Sequence, residues 1–309
     1  MVYRRASRYK ITGKPQMPKR AFHVLVATDA SPQARAGVDT ALLFPWPDGT
    51  RAQGVMVTGV AGLNRWRPRA RAALLPWLRH EAARVRRRLR RRWPDAEVVV
   101  VNPPVAKAIV EQARRWRAQI IVVGTRGRGT LHRALVGSVS RDVTHEADCS
   151  VLIVKGKGRA PRRLLIGLDG SVRSRRAVGF VSRLSAPAGG RVTLLAVVEP
   201  TSSPSIRRLP ASIRAVLWEE LAARDRQRMA RARRELSAAR RRLTRAGWRV
   251  NSVVRRGVPL SELIKTASAR HTDITIVGAR GTTGLKRLLL GSVAEGALAH
   301  SSRSVLVVR

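Results

Sequence analysis

The chain has 309 residues, a length for two domains of ordinary size, and is 44% hydrophobic but only 4% aromatic, so Val, Leu, Ile and Ala must fill the cores. Its single cysteine, Cys149, excludes an internal disulfide and any multi-cysteine zinc site, and no apolar run approaches the ~18 residues of a membrane span. The formal net charge of +43, most of it arginine, attracts nucleic acid, anionic lipid and nucleotide phosphate alike, and fits a bias toward arginine codons equally well.

Residues 1–19 form a basic stretch (Arg4, Arg5, Arg8, Lys10, Lys14, Lys19) without the apolar core of a signal peptide. A disordered tail is expected there, and a cytoplasmic location for the chain. The first apolar run, from Val24, leads into Asp29-Ala30-Ser31, where Ser31 with Pro32 suits a helix start. A second run at 55–60 reads as a strand. A basic helix follows, with Leu78, Ala82, Val85, Leu89 and Trp93 on one face and seven arginines between Arg84 and Arg92. Strands are expected at 98–101, 120–123 and 151–154, with a short helix through Ile109 and a glycine-rich loop and helix before the last strand. Cys149, next to that strand, reads as a small buried residue rather than a reactive thiol.

Gly156-Lys157-Gly158-Arg159-Ala160-Pro161 has the composition of a linker. Beyond it the pattern begins again. Leu164 to Ser171 parallels Val24 to Ser31, with Asp169 in the place of Asp29. Strands are expected at 192–198, 250–254, 274–277 and 305–308, with a basic helix over about 213–246 that carries Leu217, Leu221, Ala232, Leu236, Ala239 and Leu243 on its apolar side. Residues 121–155 and 275–309 match at 14 of 35 positions without a gap. The chain therefore reads as a duplicated α/β domain at 20–155 and 162–309, joined by residues 156–161. The expected fold is two tandem, doubly wound, parallel five-stranded sheets with helices on both faces. Such sheets bind ligands beyond the carboxyl ends of their strands, where the winding reverses.

After the fourth strand of each copy comes Gly-x2-Gly-x9-Gly-Ser: Gly124, Gly127, Gly137 and Ser138, then Gly278, Gly281, Gly291 and Ser292. Glycines let a backbone approach a phosphate and adopt positive φ, exposed N–H groups form an anion cradle, and a helix N-terminus favours negative charge. Glycines that serve only turns and caps are the alternative, which recurrence in both copies weakens. The pattern is neither a Walker loop nor the dinucleotide fingerprint, because the Gly-Lys-Ser/Thr ending is absent and the glycine spacing differs.

On these loops, the Asp-x-Ser after the first strand and the apolar last strand, the chain resembles the universal stress protein family over nearly all of both copies. The resemblance implies a Rossmann-like fold of the adenine nucleotide alpha hydrolase type and ATP or a related adenine nucleotide as ligand. It implies that Asp29 and Asp169 lie near the adenine and ribose, and that Val123, Val277 and Val197 line the base pocket. The counterpart of Val197 in the first copy is Val57 or Thr58. It further implies that Gly124, Gly127, Gly137, Ser138 and Val139 hold ribose and phosphates in the first copy, and Gly278, Gly281, Gly291, Ser292 and Val293 in the second. Helix capping or a turn is the competing role for the two aspartates. One departure stands out: Ser140 follows Gly-Ser-Val in the first copy and Ala294 in the second, which suggests weaker binding there. The resemblance also implies that the copies pair through their last strands as a dimer within one chain, and that two chains can associate.

No catalytic set emerges from the six scattered histidines or the carboxylates, so at most slow ATP hydrolysis is expected. Magnesium or manganese usually accompanies a triphosphate, and Asp29 and Asp169 are the only carboxylates suited to touch it; no dedicated metal ligands are found. Arg126, Arg128 and Arg280 suit phosphate pairing as well as simple solvation. The competing function is non-specific binding of nucleic acid or another polyanion by the arginine helices, which lack interleaved aromatics for base stacking.

Overall fold

In both copies the apolar runs become parallel strands and the segments between them become helices. The computed structural model describes residues 21–29, 31–57, 68–101, 104–125, 137–200, 210–279 and 290–309. The first copy runs β1 (His23–Thr28), α1 (Pro32–Leu43), β2 (Arg51–Val57), α2 (Pro68–Arg90), β3 (Glu97–Val101), α3 (Val105–Trp116), β4 (Ile120–Gly124), α4 (Ser138–Glu146) and β5 (Ser150–Val154). The second runs β6 (Arg163–Leu168), α5 (Val172–Val181), β7 (Arg191–Val198), α6 (Ala211–Arg245), β8 (Arg249–Arg256), α7 (Pro259–Ala269), β9 (Ile274–Gly278), α8 (Ser292–His300) and β10 (Ser304–Val308).

The strands form one sheet in the order β3-β2-β1-β4-β5-β10-β9-β6-β7-β8. Every pairing is parallel except β5 with β10, so the two five-stranded halves meet antiparallel through their last strands. Val151, Leu152 and Ile153 face Val307, Leu306 and Val305, all fully buried. This pairing closes two apolar edges that would otherwise offer unpaired N–H and C=O groups to another chain.

Alternate residues of each inner strand face opposite layers. One core contains Val24, Val26, Ile120, Leu152, Ile166 and Leu306 under α1, α2, α5 and α6. The other contains Leu25, Ile121, Val151, Leu165, Val277 and Val307 under α3, α4, α7 and α8. Burial on both faces explains the unbroken apolar runs.

Ser31 and Ser171 start α1 and α5 as expected. Their hydroxyls accept the N–H groups of Ala34 and Ser174, both at 3.1 Å. Strand β2 begins four residues before the expected start. Arg51 N–H reaches Phe22 O at 2.8 Å, and Gly54 gives way to Leu89 and Val98, which a Cβ there would meet at 3.1 and 2.8 Å. The rest of that expected run, 58–60, lies outside the described residues. Strand β8 extends beyond 250–254 into charged ends, as an edge strand permits. Trp93 lies past the end of α2, yet stays buried, its N–H on Leu89 O at 2.9 Å. In α6 the apolar side is tightly buried only late, at Leu236, Ala239 and Leu243. Leu217 and Leu221 are half-buried.

The seam carries reciprocal clasps. Lys155, after β5, donates from Nζ to Leu298 O and Ser301 O at the end of α8, at 2.8 and 2.6 Å. Arg309, after β10, donates to Thr144 O and His145 O at the end of α4, at 2.5 and 3.2 Å. Lys155 N–H meets Ser304 Oγ at 3.0 Å, and Arg309 N–H meets Ser150 Oγ at 3.4 Å. Near the centre, Arg141 pairs with Glu295 at 2.8 Å.

Candidate functional site

The winding reverses between β1 and β4 in the first copy and between β6 and β9 in the second. The crevice at the carboxyl ends of those strands is where a doubly wound sheet accepts a ligand. At one wall stands the Asp-x-Ser turn. Ser31 N–H donates to Asp29 Oδ1 at 3.0 Å, and Ser171 N–H donates to Asp169 Oδ1 at 2.9 Å. One carboxylate oxygen of each aspartate thus organises the turn that starts the helix. An ionised carboxylate keeps further acceptor capacity for a ligand hydroxyl. Asp29 is half-buried and Asp169 is exposed.

The other wall is the end of β4 or β9 with the helix that follows. Thr125 N–H donates to Val154 O at 3.1 Å, and Gly137 N–H donates to Thr125 O at 2.7 Å. The second copy repeats this: Ala279 N–H to Val308 O and Gly291 N–H to Ala279 O, both at 2.8 Å. Each glycine-rich segment is therefore tied at its base, with the strand end held against the helix N-terminus. Gly137 and Gly291 are the N-cap residues, and neither helix has a side-chain cap. First-turn N–H groups have no partner within a helix, and a helix N-terminus of this kind favours negative charge. Ser138 and Ser292 are exposed beside them; Val139 is exposed and Val293 half-buried. Val123 and Val277 are buried one residue before Gly124 and Gly278. Val57 is buried at the end of β2, and Val197 is half-buried near the end of β7.

Gly127 and Gly281, with Arg126, Arg128 and Arg280, lie outside the described residues, as does Thr58. For the remaining loop glycines the expectation of positive φ is corrected. Gly137 and Gly291 have φ of −64° and −72°, and neither Gly124 nor Gly278 is among the positive-φ residues. Their glycine character answers a different need. A Cβ on Gly278 would lie 2.9 Å from Cβ of Arg173 and 3.1 Å from the Ser174 nitrogen, so β9 and the first turn of α5 touch only through a missing side chain. In the first copy Gly37 of α1 packs on Gly124 in a similar way, its Cβ position 3.2 Å from the Gly124 nitrogen.

Two arginines, Arg175 and Arg231, escaped the sequence reading, and Ser140, singled out there as a departure between the copies, has a packing role it did not foresee. The Ser140 hydroxyl is buried and donates to Gly124 O at 2.6 Å, tying helix to strand. Arg175 donates to Gly170 O at 2.6 Å, and Arg231 of α6 stands 3.8 Å from the Cβ position of Gly170. Both arginines therefore border the Asp169 turn. The positive φ of Gly170, 75°, was foreshadowed by Asp-Gly-Ser, but nothing local in the arginine run singled out Arg231.

The sequence profile of the universal stress protein family matches residues 21–155 and again 161–309. The chain belongs to that family. A universal stress protein of Mycolicibacterium smegmatis is 29% identical over 217 residues, covering 66% of each chain. One from Mycobacterium tuberculosis is 32% identical over 206 residues, covering 62% of this chain and 61% of the relative. The chain thus matches somewhat under two thirds of the length of these relatives. The crystal structure of a universal stress protein from Archaeoglobus fulgidus superposes with a TM-score of 0.60 at 18% identity, covering 93% of this chain and 98% of that one, which shows a shared fold.

Elsewhere in this universal stress protein His23 and Cys149 are packed into the fold. His23 is buried, its Nδ1 3.0 Å from Trp116 O and its ring stacked on Trp116. Burial pushes the Cys149 thiol up to about 11, as expected of an inert cysteine. Among the described residues no three His, Cys, Asp or Glu side chains gather as metal ligands, and no helix is long and apolar enough to cross a membrane.

Proposed function

We propose that this universal stress protein binds ATP, or a related adenine nucleotide, once in each copy, and that the nucleotide acts as a regulatory ligand in a stress response. In this reading residues 20–155 and 162–309 are the two binding units. Asp29 and Asp169 meet the ribose and base end, beside Val123, Val277 and Val197. Gly124, Gly127, Gly137, Ser138 and Val139 hold ribose and phosphates in one copy, and Gly278, Gly281, Gly291, Ser292 and Val293 do so in the other. The observation that carries the reading is the tied loop base. Twice, a strand-end carbonyl holds a glycine N-cap, and that glycine leaves a helix N-terminus without a side-chain cap. A magnesium or manganese ion would arrive with the phosphates, with Asp29 and Asp169 the nearest candidates to touch it. The cytoplasm is the compartment that supplies such a ligand.

The test exploits the geometry of the caps. Both N-cap glycines have extended backbone that aspartate also adopts. Gly137→Asp with Gly291→Asp gives each helix its own carboxylate cap, which leaves stability unchanged or raises it by a few tenths of a kcal/mol. The same carboxylates repel phosphate. ATP affinity, measured by calorimetry, should fall at least about a hundredfold while the unfolding midpoint holds. Unchanged affinity in that variant defeats the assignment.

A second reading has one observation in its favour. The arginine helices α2 and α6 lie over the same face of the sheet, since Val85 and Leu89 share a core layer with Leu236 and Leu243. Polyanion binding by that face would be sequence-independent and collapse steeply as salt rises. Retention of nucleic acid at moderate salt would favour this reading, and retention only at low salt would reduce it to general attraction.

A further inference from the structure

The linker does more than join the copies. It runs over α1 so closely that a Cβ on Gly158 would collide with Asp39 and lie 2.8 Å from Ala36 O. Its far end is fixed to the second copy. Arg159 pairs with Asp273 Oδ1 at 2.8 Å, while Asp273 Oδ2 accepts the N–H groups of Arg162 and Arg163 at 2.9 and 2.8 Å. Between the linker, the start of β9 and the turn before β10 lies a cavity of about 220 Å³.

The lining of this cavity is strongly cationic. Lys155, Lys157, Arg159 and Arg303 border it, against one carboxylate, that of Asp273. Asp273 is already satisfied by Arg159 and two backbone N–H groups, so its charge is compensated within the wall. Lys155 spends two of its three donors on the α8 carbonyls. Lys157 is exposed. The Nε of Arg303 is buried and has no hydrogen-bond partner among the described residues. A buried donor left unsatisfied is costly, so this guanidinium gains by turning onto an acceptor. At about 220 Å³ the cavity is smaller than the usual pocket for a drug-sized ligand and has room for a small oxyanion.

We propose that this cavity at the joint between the copies binds a small phosphate-class oxyanion, orthophosphate or pyrophosphate, through Lys155, Lys157 and Arg303. Its lining shares no residue with the proposed nucleotide sites. It lies one strand away from the first of them, because Thr125 N–H bonds to Val154 O immediately before Lys155. An anion there would pin the linker to the β10 turn and stiffen the connection between the copies.

The test is a calorimetric titration of the full chain with pyrophosphate, ionic strength held constant with sodium chloride. One saturable site per chain is expected. Lys157→Glu with Arg303→Gln should weaken it by about thirtyfold or more, since a charge-assisted hydrogen bond lost at Arg303 is worth roughly tenfold and the exposed Lys157 adds a few-fold. Lys157→Glu alone, on an exposed side chain, should weaken it several-fold with an unchanged unfolding midpoint, which keeps the test sound if Arg303→Gln disturbs its turn. Arg226→Glu, an exposed change on α6, should leave affinity unaltered, and so should the paired Gly137→Asp and Gly291→Asp changes. Unsaturable binding, equal affinity in the joint variants, or loss in the glycine variants would each overturn the proposal; the last would place pyrophosphate in the nucleotide crevices.

Discussion

The two copies agree at the seam and diverge around their crevices. At the seam Lys155 and Arg309 occupy equivalent places, each capping the last helix of the other copy, with Ser304 and Ser150 exchanging the same backbone contact. Both copies must fit one self-complementary interface, in which a contact made by one half is returned by the other. At the crevices each copy closes its own walls, and the solutions differ. The first uses Gly37 against Gly124 and the Ser140 hydroxyl on Gly124 O. The second has Gly278 fitted under Arg173 and Ser174, with Ala294 buried where Ser140 would donate. The outer helices differ further: α2 has 23 residues and α6 has 35. Constraint is greatest where the halves touch and relaxes outward.

The largest test of this contrast is Gly278→Val. The new side chain has backbone in its way, so α5 must lift from β9, and stability should fall by about 2–3 kcal/mol in urea unfolding. A loss below about 0.5 kcal/mol would mean that the close approach does not constrain the second copy. A smaller effect is expected from exchanging the helix ties. Ser140→Ala removes the donor from the half-buried Gly124 carbonyl and should cost about 1 kcal/mol. Ala294→Ser offers the second copy the same tie and should be neutral or slightly stabilising; equal losses in both variants would show that the two walls are built alike.

A third effect concerns the clasps and is read against pH. Burial lowers the Lys155 ammonium from 10.5 to about 8. Between those values the unfolded chain binds the proton that the folded chain has released, so stability should rise with pH across that window. Arginine stays protonated throughout, so Lys155→Arg should lack the rise. Comparing unfolding midpoints of the two proteins at neutral pH and near pH 10 isolates the difference, and parallel profiles would refute it.

Much of this organisation was legible in the sequence because it is local or repeated. Apolar runs marked the inner strands, serine after Asp-x marked the helix starts, and the recurring C-terminal segment exposed the duplication. The start of β2 was hidden because Arg51-Ala-Gln-Gly lacks the continuous apolar run that begins at Val55. Its strand character comes from the Phe22 carbonyl and from the packing of Leu89 and Val98 over Gly54. The loop glycines were read as serving close approach to a phosphate and positive φ; Gly124, Gly137, Gly278 and Gly291 do not take positive φ, and the close approach seen at Gly278 is to the first turn of α5. The clasps, the Ser140 tie and the cationic cavity join residues more than ten positions apart, so no local pattern could reveal them.

The central claim is that both tied loop bases take a nucleotide. Titration of the purified chain with ATP at moderate salt tests it most directly. The account predicts two sites per chain, one removed by Gly137→Asp and the other by Gly291→Asp, each variant keeping the remaining site. A wild-type chain that takes up no ATP, or loses nothing in either variant, would contradict it.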